Sequence, residues 1–282
     1  MTETRKIIID PVTRVEGHGR VTLNIDVNNI VQDARLHIVE FRGFERFVQG
    51  RPYWEAPVLV QRLCGICPVS HHLCAAKAID EIVGMKDATL PVTAQKMRRL
   101  MHYGQVLQSH ALHYFYLAAP DLLLGVSSDP VNRNVVGLAA LDRDLATRGI
   151  LIRKFGQEII KATAGKKIHG ISAVPGGIHK NLSIEERNRF LVGGEIPSIQ
   201  DVISWCEGVI EHYKVYHKKN VEWIDSFLDS PANTLCLVGN DGEMDLYHGV
   251  LRCLSSAGVP ILDDVDYHDY LDYYAEEVKD WT

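Results

Sequence analysis

The chain has 282 residues, 46% of them hydrophobic, and a formal net charge of −6. That length and apolar content suffice for a buried core, and the acidic balance argues against nucleic acid or an anionic lipid surface as a partner. The N-terminus has no apolar signal region, and the most apolar later stretch, residues 111–126, contains a proline and an aspartate, so we expect neither a signal peptide nor a membrane span.

The first 40 residues have the alternating pattern of strands. Ile7, Ile8 and Ile9 form a short apolar run, and apolar residues then alternate with polar ones over 21–27 and 34–38. Asn28 and Asn29 separate the last two runs, and asparagine accepts the positive φ that a hairpin turn requires. The pattern predicts an antiparallel β portion over about residues 5–40.

From residue 41 onward the apolar residues recur at helical spacing. This spacing predicts helices over residues 44–48, 69–83, 93–117, 141–162, 184–191 and 199–227, the last capped by Ser198. Residues 267–281 also have helical spacing, but no glycine or proline ends them. Because the sequence contains no linker or repeat, we predict one domain over 1–282. Its predicted fold class is mainly α with an N-terminal antiparallel β portion (α+β). The helical body is expected over about 41–282, as the N-terminal part of a longer chain.

The sequence Cys64-Gly65-Ile66-Cys67 brings two thiols to one side of a tight turn, where both sulfurs can bind one metal ion. Pro68 suits the first position of a following helix. The thiols would then lie at a helix N-terminus, which favours the thiolate form. His71 comes one helical turn after Cys67, so its imidazole can orient a metal ligand.

A single Cys-x-x-Cys also occurs in several unrelated kinds of site. It can be half of a structural zinc site, a thioredoxin-like redox pair, or two buried structural thiols. A four-sulfur zinc site needs a second pair, whereas the other cysteines, at 74, 206, 236 and 253, stand singly. The redox pair normally follows a βαβ unit rather than an antiparallel sheet. The spacing alone therefore favours neither metal binding nor buried structural thiols over the other. The number and scatter of the cysteines argue against disulfides and favour a reducing, cytoplasmic setting.

The residues around the pair are more specific. Three segments resemble, in the same order, the large subunit of nickel-iron hydrogenases: Asp-Pro-Val-Thr-Arg-Val-Glu-Gly-His at 10–18, Phe-Arg-Gly-Phe-Glu at 41–45 and Arg-Leu-Cys-Gly-Ile-Cys-Pro-Val-Ser-His at 62–71. The tracts at 40–45, 50–57, 69–73, 167–170, 174–177 and 267–271 are most similar to the cytoplasmic, bidirectional, NAD-coupled branch. The resemblance covers essentially the whole chain.

The resemblance implies a role for individual residues. Cys64 would be a terminal nickel ligand and Cys67 a thiolate bridging nickel to an iron that carries carbon monoxide and cyanide. Glu16 would exchange protons with a terminal cysteine, Glu45 would bind magnesium, and His71 would orient a ligand. Soft thiolates suit nickel and iron, and a carboxylate suits magnesium. No role is assigned to His18, His110, His113 or His169, and that of Arg62 stays open.

The implied activity is reversible heterolytic cleavage of dihydrogen. Electrons would leave through a small iron-sulfur subunit to diaphorase subunits that bind flavin and NAD, because this chain has neither a G-x-G-x-x-G motif nor a cysteine set for clusters. Other possibilities are a hydrogen-sensing homologue, the non-catalytic large-subunit homologue of respiratory complex I, which lacks the ligating cysteines, and a structural zinc module.

The family also has a second motif, Asp-Pro-Cys-x-x-Cys-x-x-His, which supplies the other two thiolates of the metal centre. These 282 residues do not contain it. Two sulfurs cannot complete a site of four thiolates, so we expect this stretch of chain to be inactive by itself.

Overall fold

The computed structural model describes residues 5–85, 89–227 and 232–281. Their contacts divide the chain into two units. The β unit comprises Met1–Ile9, Arg20–Ile38 and His217–Thr282, and the helical unit comprises Asp10–Gly19 and Val39–Tyr216. The single domain over residues 1–282 stays a prediction. All five site residues named from the sequence belong to the helical unit.

The N-terminal strands form an antiparallel sheet in chain order: β1 (Arg5–Ile9), β2 (Gly19–Ile25) and β3 (Val31–Ile38). In β1 and β2, Ile9 lies opposite Val21. Asn29 turns the chain between β2 and β3 with a φ of 63°, in the left-handed region that asparagine tolerates. The predicted β portion is therefore confirmed.

The helices are α1 (Phe44–Val48), α2 (Ala56–Leu59), α3 (Pro68–Ile82), α4 (Val92–Leu112), α5 (Ala119–Leu124), α6 (Val135–Leu141), α7 (Arg143–Ala164), α8 (Ile184–Val192) and α9 (Ile199–Phe227). A π-helical segment, His113–Ala118, joins α4 to α5. A short hairpin of β4 (Ala173–Val174) and β5 (Gly177–Ile178) lies between α7 and α8. None of the described helices is long and apolar enough to cross a membrane. The mainly α fold class is confirmed.

Side-chain caps account for several helix boundaries. The Asp142 carboxylate accepts a hydrogen bond from Leu145 N, which starts α7 two residues later than predicted. Ser183 and Glu186 form a capping box at α8. Ser198 accepts from the backbone N–H of Asp201 at 3.2 Å, as predicted for the start of α9.

The core of the helical unit forms where α4 crosses α7. A Cβ added to Gly104 would lie 2.8 Å from Ile159, and one added to Gly156 would lie 2.7 Å from the Gly104 carbonyl oxygen. The two backbones therefore approach closely only because both positions are glycine. Phe115 and Phe155, 3% and 0% exposed, fill the neighbouring space.

The prediction of a helical body up to residue 282 is wrong for its last part. A second antiparallel sheet follows α9, with the strands β6 (Thr234–Val238), β7 (Val250–Leu254) and β8 (Pro260–Val265). In β7, Leu251 and Cys253 are buried and their neighbours are half-buried, which is the period of two of a strand. The sequence interpretation missed this alternation.

The predicted helix over residues 267–281 is reduced to one 3-10 segment, Tyr267–Asp272. Beyond it, the chain end is held by β3 instead of by helical hydrogen bonds. The Arg35 guanidinium lies 4.8 Å from the Trp281 ring centroid, and His37 contacts the Trp281 carbonyl. These tertiary contacts outweigh the weak local preference for helix.

A buried ion pair connects α3, α4 and the β4–β5 hairpin. Arg98 and Asp80, 0% and 3% exposed, contact each other at 2.5 Å. Arg98 also donates to the carbonyls of Val174 and Gly177, and Asp80 accepts from Gly176 N at 2.7 Å. Since α3 begins at the cysteine turn, this pair holds the helix that carries the candidate site.

Replacing Asp80 by asparagine should lower the free energy of unfolding by about 3 kcal/mol, because the Arg98 guanidinium would stay buried without a counter-charge. Urea denaturation of the intact protein measures the effect. Glu211→Gln is the matched control, since Glu211 and Lys214 pair on the surface at 69% and 65% exposure and should contribute under about 1 kcal/mol. Equal effects of the two substitutions would contradict a structural role for the buried pair.

Candidate metal centre

The two cysteines of the turn lie between a 3-10 segment, Val60–Leu63, and α3. Cys64 is extended, Cys67 is the N-cap of α3, and Pro68 is at the start of the helix, as predicted. The backbone N–H groups of Ile66 and Cys67 donate to the Cys64 sulfur at 3.3 and 3.1 Å. These two backbone donors fix the position of the Cys64 sulfur at the start of the turn.

Three side chains converge at this turn. The ligand atoms of Cys64, Cys67 and His71 all lie within 4.8 Å of one another. Cys64 is buried, the other two are half-buried, and His71 Nε2 lies 3.6 Å from the Cys67 sulfur. Burial lowers the pKa of His71, so its imidazole is neutral near pH 7 and can bind a metal ion or hydrogen-bond a thiolate. Its orienting role stays a prediction.

Burial, together with the neighbouring Cys64 and Glu16, raises the pKa of Cys67 to about 12. Without a metal ion, Cys67 is therefore a neutral thiol at physiological pH. A bound cation stabilises the thiolate and displaces that proton. The expectation that the helix N-terminus favours the thiolate form is therefore wrong for Cys67, where burial dominates, and metal binding at this sulfur has to release a proton.

Glu16 lies beside the cysteine turn although 48 residues separate it from Cys64 in the chain. The Cys64 thiol donates to Glu16 Oε1 across 3.7 Å. A carboxylate at this distance can accept a proton from the sulfur directly. The structure thus brings together four of the five residues named from the sequence.

Two glutamines of α4 hold the middle of the turn. Gln105 and Gln108 both donate through Nε2 to the Ile66 carbonyl, at 2.9 and 2.6 Å. Both side chains are buried, at 2% and 4% exposure. The peptide between the two cysteines is therefore fixed by a neighbouring helix, and so is the spacing of the two sulfurs.

His169 is a further contact of the site that the sequence interpretation missed. Its Nε2 lies 3.2 Å from the Cys64 carbonyl oxygen, and Arg62 Nη1 lies 3.1 Å from its Nδ1. If Arg62 donates, Nδ1 accepts and Nε2–H donates to the carbonyl. The backbone of His169 has a φ of 53°, which is uncommon for a residue other than glycine. The only signal in the sequence was that His169 lies in the tract 167–170, one of those similar to the NAD-coupled hydrogenase branch.

Glu45 is the fifth residue named from the sequence, and it also belongs to the helical unit. It lies in α1 with its side chain 59% exposed, and its carboxylate pairs with Arg42. A hydrogen bond from its own backbone N–H, followed by that from Arg42, lowers the pKa of Glu45 and keeps it anionic. Among the described residues, Glu45 is not one of the converging ligands at the cysteine turn. Its magnesium role stays a prediction.

Two thiolates and a neutral imidazole are soft and borderline ligands, which suit nickel, iron or zinc and do not suit magnesium or calcium. The remaining cysteines do not join this group of ligands in the described parts of the chain. Cys74 is exposed, and Cys206, Cys236 and Cys253 lie in α9, β6 and β7. The donor set therefore fits one half of a thiolate-rich nickel-iron site.

Comparison with known families gives two matches. A family described as "Nickel-dependent hydrogenase" matches residues 42–131, and one described as "HoxL-like" matches residues 6–41. The first includes the cysteine turn and Glu45, and the second includes Glu16.

Similar proteins extend the match over nearly the whole chain. It is 52% identical to the "NAD-reducing hydrogenase HoxS subunit beta" of Cupriavidus necator, over 99% of this chain and 58% of that protein. It is 41% identical to one subunit of the F420-non-reducing hydrogenase vhu of Methanocaldococcus jannaschii, over 97% of this chain and 63% of that protein. The chain thus spans about three fifths of the length of these relatives.

Solved structures agree with these matches. A crystal structure of an NAD⁺-reducing [NiFe]-hydrogenase in the H₂-reduced state superposes with a TM-score of 0.91 at 56% identity, over 99% of this chain and 60% of that one. The Ni-Fe-Se hydrogenase of D. vulgaris Hildenborough gives a TM-score of 0.71 at 25% identity, over 93% and 55%. The described fold is therefore similar to the corresponding part of both hydrogenases.

Proposed function

Because the chain belongs to the nickel-iron hydrogenase large-subunit family, we propose that the complete protein is the catalytic subunit of a hydrogenase that cleaves dihydrogen reversibly. The observation that carries the proposal is the convergence of Cys64, Cys67 and His71, with Glu16 in contact with the Cys64 sulfur. The two thiols and the carboxylate together can bind the metals and accept a proton.

Cys64 and Cys67 would hold a nickel-iron centre through their two sulfurs. Two more thiolates would come from chain outside these 282 residues, since the relatives are longer. When bound, such a centre, with carbon monoxide and cyanide on iron, would supply heterolytic cleavage of dihydrogen. His71 would hydrogen-bond the Cys67 sulfur and limit its movement.

Glu16 would carry the proton produced by the reaction. Its Oε1 lies 3.7 Å from the Cys64 sulfur, so a proton released on that sulfur has an acceptor without an intervening water. In the reverse direction the same carboxyl group would return a proton. This role requires the carboxylate to stay beside the sulfur during turnover.

Glu45 would contribute a hard carboxylate oxygen to a magnesium ion. The ion would have to replace Arg42 as the partner of this carboxylate. The carboxylate stays anionic because its pKa is lowered. Its exposure leaves it accessible to further ligands from chain outside these 282 residues.

The proposed partners follow from the similarity to a subunit of an NAD-reducing hydrogenase. Electrons would pass first to a small iron-sulfur subunit, then to flavin- and NAD-binding diaphorase subunits. Because NAD is a cytoplasmic electron carrier, we propose that the assembled protein works in the cytoplasm. Hydrogen-dependent reduction of NAD⁺ by the purified complex tests this assignment, and hydrogen binding without turnover would instead support a sensor.

The metal centre itself is tested by metal analysis and infrared spectroscopy of the intact protein. We expect nickel and iron in equal amounts in the catalytic subunit itself, together with infrared bands of metal-bound carbon monoxide and cyanide. The measurement requires no assumption about the electron acceptor. Zinc alone, without those bands, would contradict the hydrogenase proposal and support a structural site at Cys64 and Cys67.

A further inference from the structure

The loop that carries Glu16 has an unusual backbone two residues earlier. Arg14 has a φ of 58°, in the left-handed region that side chains other than glycine, asparagine and aspartate rarely occupy. Such a conformation persists only when surrounding contacts hold it. The contacts of Arg14 therefore bear on the position of Glu16.

Two hydrogen bonds hold the Arg14 guanidinium. Nη1 donates to the Leu117 carbonyl at 3.1 Å, and Nη2 donates to Asp121 Oδ1 at 2.8 Å. Both acceptors belong to the stretch formed by the π-helical segment and α5, and the ion pair is about two-thirds buried. Arg133 approaches the same Asp121 oxygen at 3.2 Å from a different loop.

The chain segment from α4 to α5 thus contacts both halves of the candidate site. Gln105 and Gln108 in α4 hold the cysteine turn through the Ile66 carbonyl. Arg14 attaches the Glu16 loop to the same segment, 107 residues away in the chain. The distance between Glu16 and the Cys64 sulfur is therefore set by contacts to one continuous helical segment.

We infer that Arg14 is a positioning residue: by binding the Leu117 carbonyl and Asp121, it holds the Glu16 carboxylate within reach of the Cys64 sulfur. This inference rests on the proposed proton transfer by Glu16. The separation of 3.7 Å is already near the outer limit of a hydrogen bond to sulfur. A small displacement of the loop would therefore interrupt transfer, because proton transfer requires hydrogen-bond contact.

The test compares four variants of the complete hydrogenase complex: Arg14→Gln, Arg133→Gln, Glu16→Gln and the double variant Arg14→Gln with Glu16→Gln. We expect Arg14→Gln to lower hydrogen turnover about 10-fold, since misplacement of a catalytic group costs about that much or more. Arg133→Gln is the matched control, because it removes the other cation from Asp121 without touching the Glu16 loop, and it should stay near wild-type turnover.

Three further results separate positioning from general damage, and the last of them comes from a fifth variant, Arg14→Lys. In the Glu16→Gln background, Arg14→Gln should cause no further loss, because the two residues act in one step. The infrared bands of the metal-bound diatomic ligands should persist in Arg14→Gln and shift in the same direction as in Glu16→Gln, since both changes take a carboxylate away from the Cys64 sulfur. Arg14→Lys, which keeps a cationic donor, should recover part of the turnover.

Additive losses in the double variant, or loss of nickel and of the infrared bands in Arg14→Gln alone, would overturn the inference. Wild-type turnover in Arg14→Gln would overturn it as well. These outcomes differ from failure of the proposed function, in which the unmodified complex itself would lack the infrared bands. Failure of the proton role of Glu16 would show separately, as wild-type turnover in Glu16→Gln.

Discussion

Replacing Cys67 by serine is expected to abolish assembly of the nickel-iron centre in the complete protein. A serine hydroxyl is a hard and weakly acidic ligand, so it cannot replace a thiolate ligand in the proposed centre. Loss of an outer partner of a metal ligand already costs about 10–100-fold in affinity or activity, and loss of the ligand should exceed this range. Nickel and iron analysis, infrared bands and hydrogen turnover measure the effect.

Cys74 is a matched control for this experiment. It lies in the same helix, α3, two turns further along, and its side chain is exposed. Cys74→Ser should retain wild-type metal content and turnover. If Cys67→Ser kept both metals and its turnover, Cys67 would not be a ligand, and the converging group of Cys64, Cys67 and His71 would not be the metal centre.

Replacing Glu16 by glutamine is expected to reduce hydrogen turnover by about 10²–10⁴-fold, the usual contribution of a group that transfers protons. Glutamine has nearly the same shape and can still contact the Cys64 sulfur, but it cannot take up a proton at pH 7. The nickel content and the infrared bands should therefore persist. The experiment measures turnover and metal content on the same preparation.

Glu40→Gln provides the comparison. Glu40 is an exposed carboxylate. It pairs with His18, a residue that follows Glu16 by two positions in the same loop. Its substitution changes the local charge equally but affects no group in contact with a cysteine, so turnover should stay near wild type. An equal loss in both variants would point to the charge of the loop, and full turnover in Glu16→Gln would remove its proposed proton role.

The strands and helices that were predicted well are those with strong local signals. The hairpin turn at Asn29, the N-terminal proline of α3 and the cap at Ser198 each act through neighbouring residues. The second sheet was missed because its strands are short. The alternation of buried and half-buried residues in β7 is visible only in the structure, where β7 pairs with β6. The predicted helix over 267–281 failed because the contacts of Trp281 with β3 outweigh the local pattern.

The candidate site, too, combines features that local sequence predicts with features that depend on long-range contacts. The local spacing determined the turn with two thiols, the helix that begins directly after it, and the imidazole one helical turn further on, because all three depend on contacts within ten residues. The resemblance of the surrounding motifs supplied the family. No spacing rule could show that Glu16 approaches Cys64, or that His169 and two glutamines hold the turn.

The amino-acid sequence by itself thus determined the ligand types, the order of the motifs and most of the helices. Only the tertiary structure decided how the Glu16 loop is held at the cysteine turn. The physical reason is that the hydrogen bonds of Arg14 to Leu117 and Asp121, and that of Cys64 to Glu16, join residues 48 to 107 positions apart. Such contacts form only when α4, α5 and the loops pack together. The distance between the Glu16 carboxylate and the Cys64 sulfur is therefore set by the tertiary structure.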